Sequence, residues 1–317
     1  MQKIDAHLHL DLAGMDADRL IRYMDRHRIE KGWLHTWEEL APPIKTLYQN
    51  LSPEAIFEAF EKYPHRIIPF YAPDPGSNQP EQKLQYYLDK GLKGCGELKV
   101  TFQWEDPAIE KYLQIIARYR LPLLFHMEAP RMHYAPHKSG VLERLLDPLM
   151  NGAFNGVAKK DITLLAEKTG LLRKHLQNRL ASFPGYLHDF AGLEKRLRQF
   201  PDIAFIAHGP HFWNNISDRL SGVFFHEKGP VERFGIIDRL LSAYDNLYCD
   251  ISGKGGFNAL NRDHRQSKRF LEKHYPKILF GTDNTGLDYD GLIDAMNLTG
   301  KARKMLFFEN AESLIPE

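Results

Sequence analysis

The sequence predicts a (β/α)8 barrel. Three observations carry that prediction. Eight short apolar runs recur along the 317 residues, amphipathic segments of helical period separate most of them, and several runs end in residues able to bind a metal ion. A chain of this length fits one large domain, taken as residues 1–317.

The apolar runs are Ile4–Leu10, Gly32–Trp37, Ile67–Pro73, Cys95–Val100, Leu121–Met127, Ile203–Gly209, Leu247–Ser252 and Ile278–Asp283. Each is short enough for a buried strand. Between them, Asp16–Arg28 carries Leu20, Ile21, Met24 and His27 on one helical face. Pro53–Tyr63 has Ser52 as its N-cap, Pro53 at the first helical position and Ile56, Phe57 and Phe60 as its stripe. Pro80–Lys90, Pro107–Tyr119, Asp189–Phe200, Val231–Tyr244 and Asn258–Tyr275 follow the same logic, and Lys301–Phe308 supplies a last helix. Two connections are too long for a simple βα unit. Residues 128–199 between the fifth and sixth strands read as a helical insertion over the barrel mouth, with helices expected at Gly140–Met150 and Lys160–Leu180. Thr36–Leu51, rich in aromatics, is a second long loop, and its Thr36–Tyr48 part hints at a dimer surface.

Composition narrows the function. Apolar residues make up 43% of the chain, enough for a sizeable core. The formal charge of +1 supplies no bulk field for nucleic acid or an anionic membrane. Cys95 and Cys249 stand far apart inside apolar runs and read as buried, reduced thiols. No apolar run reaches the ~18 residues of a transmembrane helix. Met1–Asp5 leads straight into strand-like sequence, so no signal peptide and a cytoplasmic location are expected.

In such a barrel the functional face is where the strands' carboxyl ends emerge. His7 and His9, two apart on strand one, share a face, with Leu8 and Leu10 on the other. Strand four carries Glu97 and Lys99, strand five ends in His126, strand six in His208 and strand eight in Asp283. One such ending has a bland explanation as a core histidine or a helix cap. Five together point to a metal site.

This pattern resembles the amidohydrolase superfamily, and more narrowly its amidohydrolase-2 branch of metal-dependent hydrolases and nonoxidative decarboxylases. The resemblance rests on the His-x-His of strand one, the single histidines ending strands five and six, Phe280-Gly281-Thr282-Asp283, and the late Glu309-Asn310-Ala311. It implies His7, His9, His126 and Asp283 as metal ligands, with Asp283 also a proton acceptor, and His208 as an acid/base or electrophilic residue. Glu97 matches a position that is an extra or bridging ligand in some relatives and absent in others. It also reads as a partner for Lys99.

The chemistry follows from the residue types. Zn2+ held by three or four N/O ligands lowers the pKa of water toward ~7. Mn2+ and Fe2+ accept similar ligands. Asp283 is suited to take the water's proton, and His208 to hold a substrate oxygen as it gains charge. The set suits hydrolysis of an ester, lactone or amide in a small anionic molecule, or loss of CO2 from an aromatic or enoic acid. A barrel that binds a ligand without turnover is the reading from another class. Lys99, Trp104, Arg131, His211, Trp213 and Arg262 are the expected substrate-binding residues around the mouth, because cations among aromatics suit a carboxylated ring; His133 and Tyr134 also open the insertion, and His137 reads as ordinary loop surface. Asp250 is expected to bond loop amides near the site.

Overall fold

A computed structural model describes residues 2–10, 14–37, 52–134, 160–162, 164–165, 168–169 and 180–315. Its first five strands are β1 (Ile4–Leu8), β2 (Lys31–Leu34), β3 (Ile67–Pro69), β4 (Cys95–Leu98) and β5 (Leu123–His126). An antiparallel pair follows, β6 (Arg131–Tyr134) with β7 (Leu180–Phe183). Then come β8 (Phe205–His208), β9 (Leu247–Asp250) and β10 (Ile278–Leu279). All eight expected barrel strands are present, each shorter than the apolar run that announced it.

The barrel strands pair in parallel as β1-β2-β3 and β10-β9-β8-β5-β4. Two seams join these groups into a ring. Phe70 pairs with Gly94, flanked by Lys93 N–H to Pro69 O (3.0 Å) and Tyr71 N–H to Gly94 O (3.2 Å). Ala6 N–H donates to Phe280 O at 2.8 Å, which ties strand one to strand eight. Ile4, Ala6, Trp33, Phe70, Leu124, Ile206 and Leu279 fill the interior, joined by Ala311 from the C-terminal helix. A larger cluster packs the outer strand faces against the helices. This is the (β/α)8 architecture that the alternating pattern predicts.

The helices start where their caps dictate. Asp16, Asp106 and Asp189 accept hydrogen bonds from the first-turn amides of Ala17–Arg26, Pro107–Tyr119 and Phe190–Gln199. Ser52 sits at its N-cap but donates its hydroxyl to Glu54 Oε2 (2.7 Å) instead of accepting from the helix. The single helix expected over Asn258–Tyr275 is two, Gly253–Asn261 and His264–His274, because Asp263 caps the second through Gln266 N–H. The helix expected from Val231 begins at Ile236. Cys95 and Cys249 are buried free thiols. Among the described residues no helix is long and apolar enough to cross a membrane.

Of the insertion, the antiparallel pair β6–β7 and a bridge between Glu128 and Tyr186 mark its base. The helix expected at Gly140–Met150 lies outside the described residues, as does most of the one at Lys160–Leu180. In the Thr36–Tyr48 segment only Thr36 and Trp37 are described, and both are buried.

Candidate metal centre

Two irregularities in the sheet aim the central side chains. The register of β1 on β2 slips between Asp5 and Leu8, so Ala6 joins the interior cluster and the adjacent His7 ring meets His9, His35 and His208. The register of β4 on β5 slips between Cys95 and Leu98. There Gly96 allows the His35 ring to approach: a Cβ at Gly96 would lie 2.8 Å from His35 Nδ1. Glu97 follows, also turned inward.

His7 Nε2 and His9 Nε2 are 3.1 Å apart and fully buried. Glu97 Oε2 lies 3.8 Å from the first and 3.6 Å from the second. Asp283 Oδ1 lies 3.5 Å from His9 Nε2. The opposite nitrogens are committed. His9 Nδ1 donates to the backbone carbonyl of His35 at 3.0 Å, and His7 Nδ1 donates to Asp250 Oδ2 at 3.0 Å. Both imidazoles in their neutral form therefore present bare Nε2 lone pairs to one another. Such a pair repels unless a positive charge lies between. Nitrogens each ~2.0 Å from one zinc ion at a tetrahedral angle are ~3.3 Å apart, so the donor set fits a divalent cation.

Without a cation, a proton takes that place. Burial works against a charge on His7, but Asp250, then Glu97 and Asp283, outweigh it and lift its pKa to about 9. Burial and the His7 charge drive His9 well below its ordinary value, so His9 accepts from His7. Glu97 is held well below the usual carboxylate range: burial opposes this, and Lys99, His126 and His7 overcome it.

The remaining predicted ligands surround this core. Glu97 uses its other oxygen, Oε1, to reach His126 Nδ1 at 2.6 Å, and its Oε2 is 3.4 Å from Lys99 Nζ. It is therefore both a candidate ligand and the partner of Lys99. His126 Nε2 lies 3.3 Å from Glu128 Oε2. His7, His9 and Glu97 form one group able to hold an ion, and Glu97, His126 and His208 form another. The His126 and His208 ring centroids are 5.2 Å apart.

Asp283 is fixed by the seam between strands one and eight. Its N–H donates to His7 O (2.8 Å), and both it and Asn284 adopt left-handed backbone, φ 52° and 53°. Asn284 supports this by pairing its amide with His9, accepting from its N–H (2.9 Å) and donating to its carbonyl (3.0 Å). The expected alternative, Asp283 as cap of the next helix, is excluded, since Asp288 caps Tyr289–Met296. Burial raises the Asp283 carboxyl above its ordinary value. Gly253 keeps the space beside it clear: at φ 68°, its Cβ would lie 3.0 Å from Asp283 Oδ2 and 3.3 Å from the His208 ring.

His208 Nδ1 is 3.0 Å from both Asp250 Oδ1 and Ser252 Oγ. Burial pushes this imidazole down despite Asp250, so it is neutral with its proton on Nδ1 and a bare Nε2. Asp250 does bond a loop amide, Ser252 N–H at 2.9 Å, but its larger part is to orient two histidines.

Several expected mouth residues are placed otherwise. Trp104 is fully buried, packs on Phe125 and donates to Leu187 O (2.9 Å); Trp213 is fully buried and donates to Asp250 O (2.9 Å). Neither presents a face to a ligand. Arg262 donates to the carbonyls of Gly229 (2.9 Å) and Lys228 (3.2 Å) and so supports a loop, while its buried Nη1 has no partner among the described residues. Lys99 is at the centre, with Nζ 4.3 Å over the Trp37 ring. Arg131 and His211 line a cavity beside the centre. The side chains of His133 and Tyr134, and all of His137, lie outside the described residues.

Two residues were missed. His35 directly follows the last residue of β2, so the strand-end rule reaches it almost as it reaches His126 on β5. Glu128 follows His126 at the same two-residue spacing as His7 and His9.

Neither a protein-family model nor a curated protein matches the chain. Solved structures do. An uncharacterized TIM-barrel protein from Bordetella bronchiseptica is similar at 12% identity, over 99% of this chain and 98% of that one, with TM-score 0.62. A 5-carboxyvanillate decarboxylase from Sphingomonas paucimobilis is similar at 11% identity, over 99% and 98%, with TM-score 0.54. An amidohydrolase from Burkholderia multivorans with bound zinc is similar at 11% identity, over 100% of both chains, with TM-score 0.52. These likenesses establish the barrel fold and agree with the architecture expected from the amidohydrolase resemblance.

Proposed function

We propose that this chain is a metal-dependent hydrolase acting on an ester, lactone or amide bond of a small, anionic molecule. The observation that carries the reading is the 3.1 Å approach of two bare Nε2 atoms, His7 and His9, whose Nδ1 atoms are both committed elsewhere. His7, His9, Glu97 and Asp283 would hold the cation, with His126 joined to them through Glu97. A bound divalent ion, zinc by preference for this donor set, supplies Lewis acidity and acidifies water.

The protein's own residues handle the protons. Asp283 is suited to accept a proton from water and return it to the leaving group. His208, with Nδ1–H held by Asp250, accepts a proton at Nε2. Only after taking one can it donate to a substrate oxygen, which refines the oxyanion role expected from sequence. Metal analysis of the purified chain beside His9→Ala, followed by turnover on a panel of esters, lactones and amides, tests the reading. A folded wild-type chain that retains no more metal than the variant ends it.

Nonoxidative decarboxylation is the second reading, and the raised Asp283 carboxyl favours it as a source of the proton that replaces CO2 on carbon. CO2 release without incorporation of solvent oxygen separates the two.

A further inference from the structure

Thr282, the residue before Asp283, has every polar group committed. Its N–H donates to Asp5 Oδ1 (3.0 Å) and its hydroxyl to Asp5 Oδ2 (2.6 Å). The same hydroxyl oxygen accepts from Tyr23 O–H at 2.9 Å. Its carbonyl accepts from the N–H (3.2 Å) and the hydroxyl (2.8 Å) of Thr285. Asp5, Tyr23 and Thr282 are all buried. Asp5 Oδ1 also accepts the His7 N–H at 3.0 Å, so one carboxylate joins a proposed ligand to the strand end that carries another. With Asp283 N–H on His7 O (2.8 Å), these bonds close a ring through Asp5, His7, Thr282 and Asp283. A shift of Thr282 is carried directly to Asp283, whose Oδ1 lies 3.5 Å from His9 Nε2.

Tyr23 reaches this ring from outside the barrel. It lies on the helix Ala17–Arg26 and shares that helix's buried face with Leu20 and Met24. A phenylalanine would fill the same space. What the tyrosine adds is one hydroxyl, and that hydroxyl meets Thr282. Burial, then Asp5, push it up to about 12, so it stays a donor. Thr282 has a single hydroxyl hydrogen. Because Tyr23 donates to the Thr282 oxygen, that hydrogen is turned to Asp5 Oδ2. Each bond in the chain therefore orients the next.

We propose that Tyr23 is a positioning residue of the metal centre, acting through Thr282 and Asp5 to hold Asp283 at ligand distance from His7 and His9. A side chain outside the barrel wall thereby sets the geometry of a site inside its mouth. The proposal deepens the hydrolase reading and rests on it for the cation itself.

The probe is Co2+ added to the metal-free, full-length chain, because its visible absorption reports coordination geometry. Zn2+ affinity is measured beside it by competition with a chelator, and stability by the urea midpoint. Tyr23→Phe is expected to shift the Co2+ bands and to weaken Zn2+ by about 10-fold, the lower end for a group acting on metal ligands through their partners. Thr282→Ser keeps the hydroxyl and is expected to keep the wild-type bands. Thr282→Val is expected to shift them, and adding Tyr23→Phe to it to change nothing further, since the tyrosine acts only through that hydroxyl. Unchanged Co2+ bands in Tyr23→Phe overturn the proposal, whatever the urea midpoint does. So does a full further loss when Tyr23→Phe is added to Thr282→Val, which assigns the tyrosine to packing. If Thr282→Val does not fold, the other two variants decide: Tyr23→Phe must shift the bands and Thr282→Ser must not. A wild-type chain that takes up neither metal defeats the hydrolase reading. The positioning is then read from the Asp283 N–H resonance of the metal-free chain, which must move in Tyr23→Phe; an unmoved resonance overturns it.

Discussion

Asp250 Oδ2 lies 3.0 Å from His7 Nδ1, while its Oδ1 lies 3.0 Å from His208 Nδ1. One carboxylate on strand seven thus sets the tautomer of a proposed ligand on strand one and of a proposed proton carrier on strand six. The carboxylate itself stays ionised, because the two histidines more than offset its burial. Asp250→Asn keeps the shape but replaces one acceptor oxygen by an NH2 donor, so one histidine must turn its bare nitrogen inward. Metal affinity should fall ~10–100-fold, as for other partners of ligating histidines. A competitive chelator titration measures it, and activity should fall at least as far because His208 is misoriented too.

Metal binding should release a proton. At pH 7, below the raised value of about 9 for His7, the metal-free pair holds one proton between His7 and His9. A cation must displace it, so affinity rises with pH until the His7 value is passed. Calorimetry in buffers of different ionisation enthalpy should report close to one proton released at pH 7 and none well above pH 9. Zinc at ~100 times its dissociation constant should stabilise wild type by about 2.7 kcal/mol, and His7→Ala or His9→Ala by almost nothing.

Gly253→Ala separates the site from the scaffold. The backbone there is left-handed, φ 68°, and the new methyl would press on Asp283 Oδ2 at 3.0 Å. Strain alone costs about 1 kcal/mol, visible as a small loss in denaturant midpoint. Turnover should fall much further than stability, by ~10-fold or more, because Asp283 and His208 must move apart. Loss of stability without a change in the rate of the folded enzyme contradicts the proposed roles of both residues.

What the sequence made legible follows from period and position. Alternating apolar runs announced all eight barrel strands, and the polar residue ending a run marked His126, His208 and Asp283, which the barrel carries to one end. Pairings made across the barrel were beyond it. Nothing local says that Asp250 reaches two histidines, or that Asn284 staples strand eight to His9. Trp104 and Trp213 beside strand ends looked like ligand platforms, yet helices pack over both. Arg262 follows strand seven as a substrate residue would, but loop carbonyls claim its Nε and Nη2.

Glu194 provides a prediction about the scaffold alone. It lies on the helix Phe190–Gln199 and joins it to the helix Ile236–Ala243 through Arg239, with contacts of 2.9 and 2.8 Å, and to Tyr244 at 2.7 Å. Arg239, then Tyr244, hold its carboxyl at about 2, below the ordinary 4.5. A depressed carboxyl stabilises the folded state above its unfolded value, and that contribution drains away as pH falls from about 4.5 toward 2. The pair is partly open to solvent, so the discounted contribution at pH 7 is about 1 kcal/mol. Glu194→Gln should therefore lower stability by that amount in urea unfolding at pH 7, and the gap should close as the pH approaches 2. A gap that stays constant over that range would show that the stabilisation comes from packing and not from the charge.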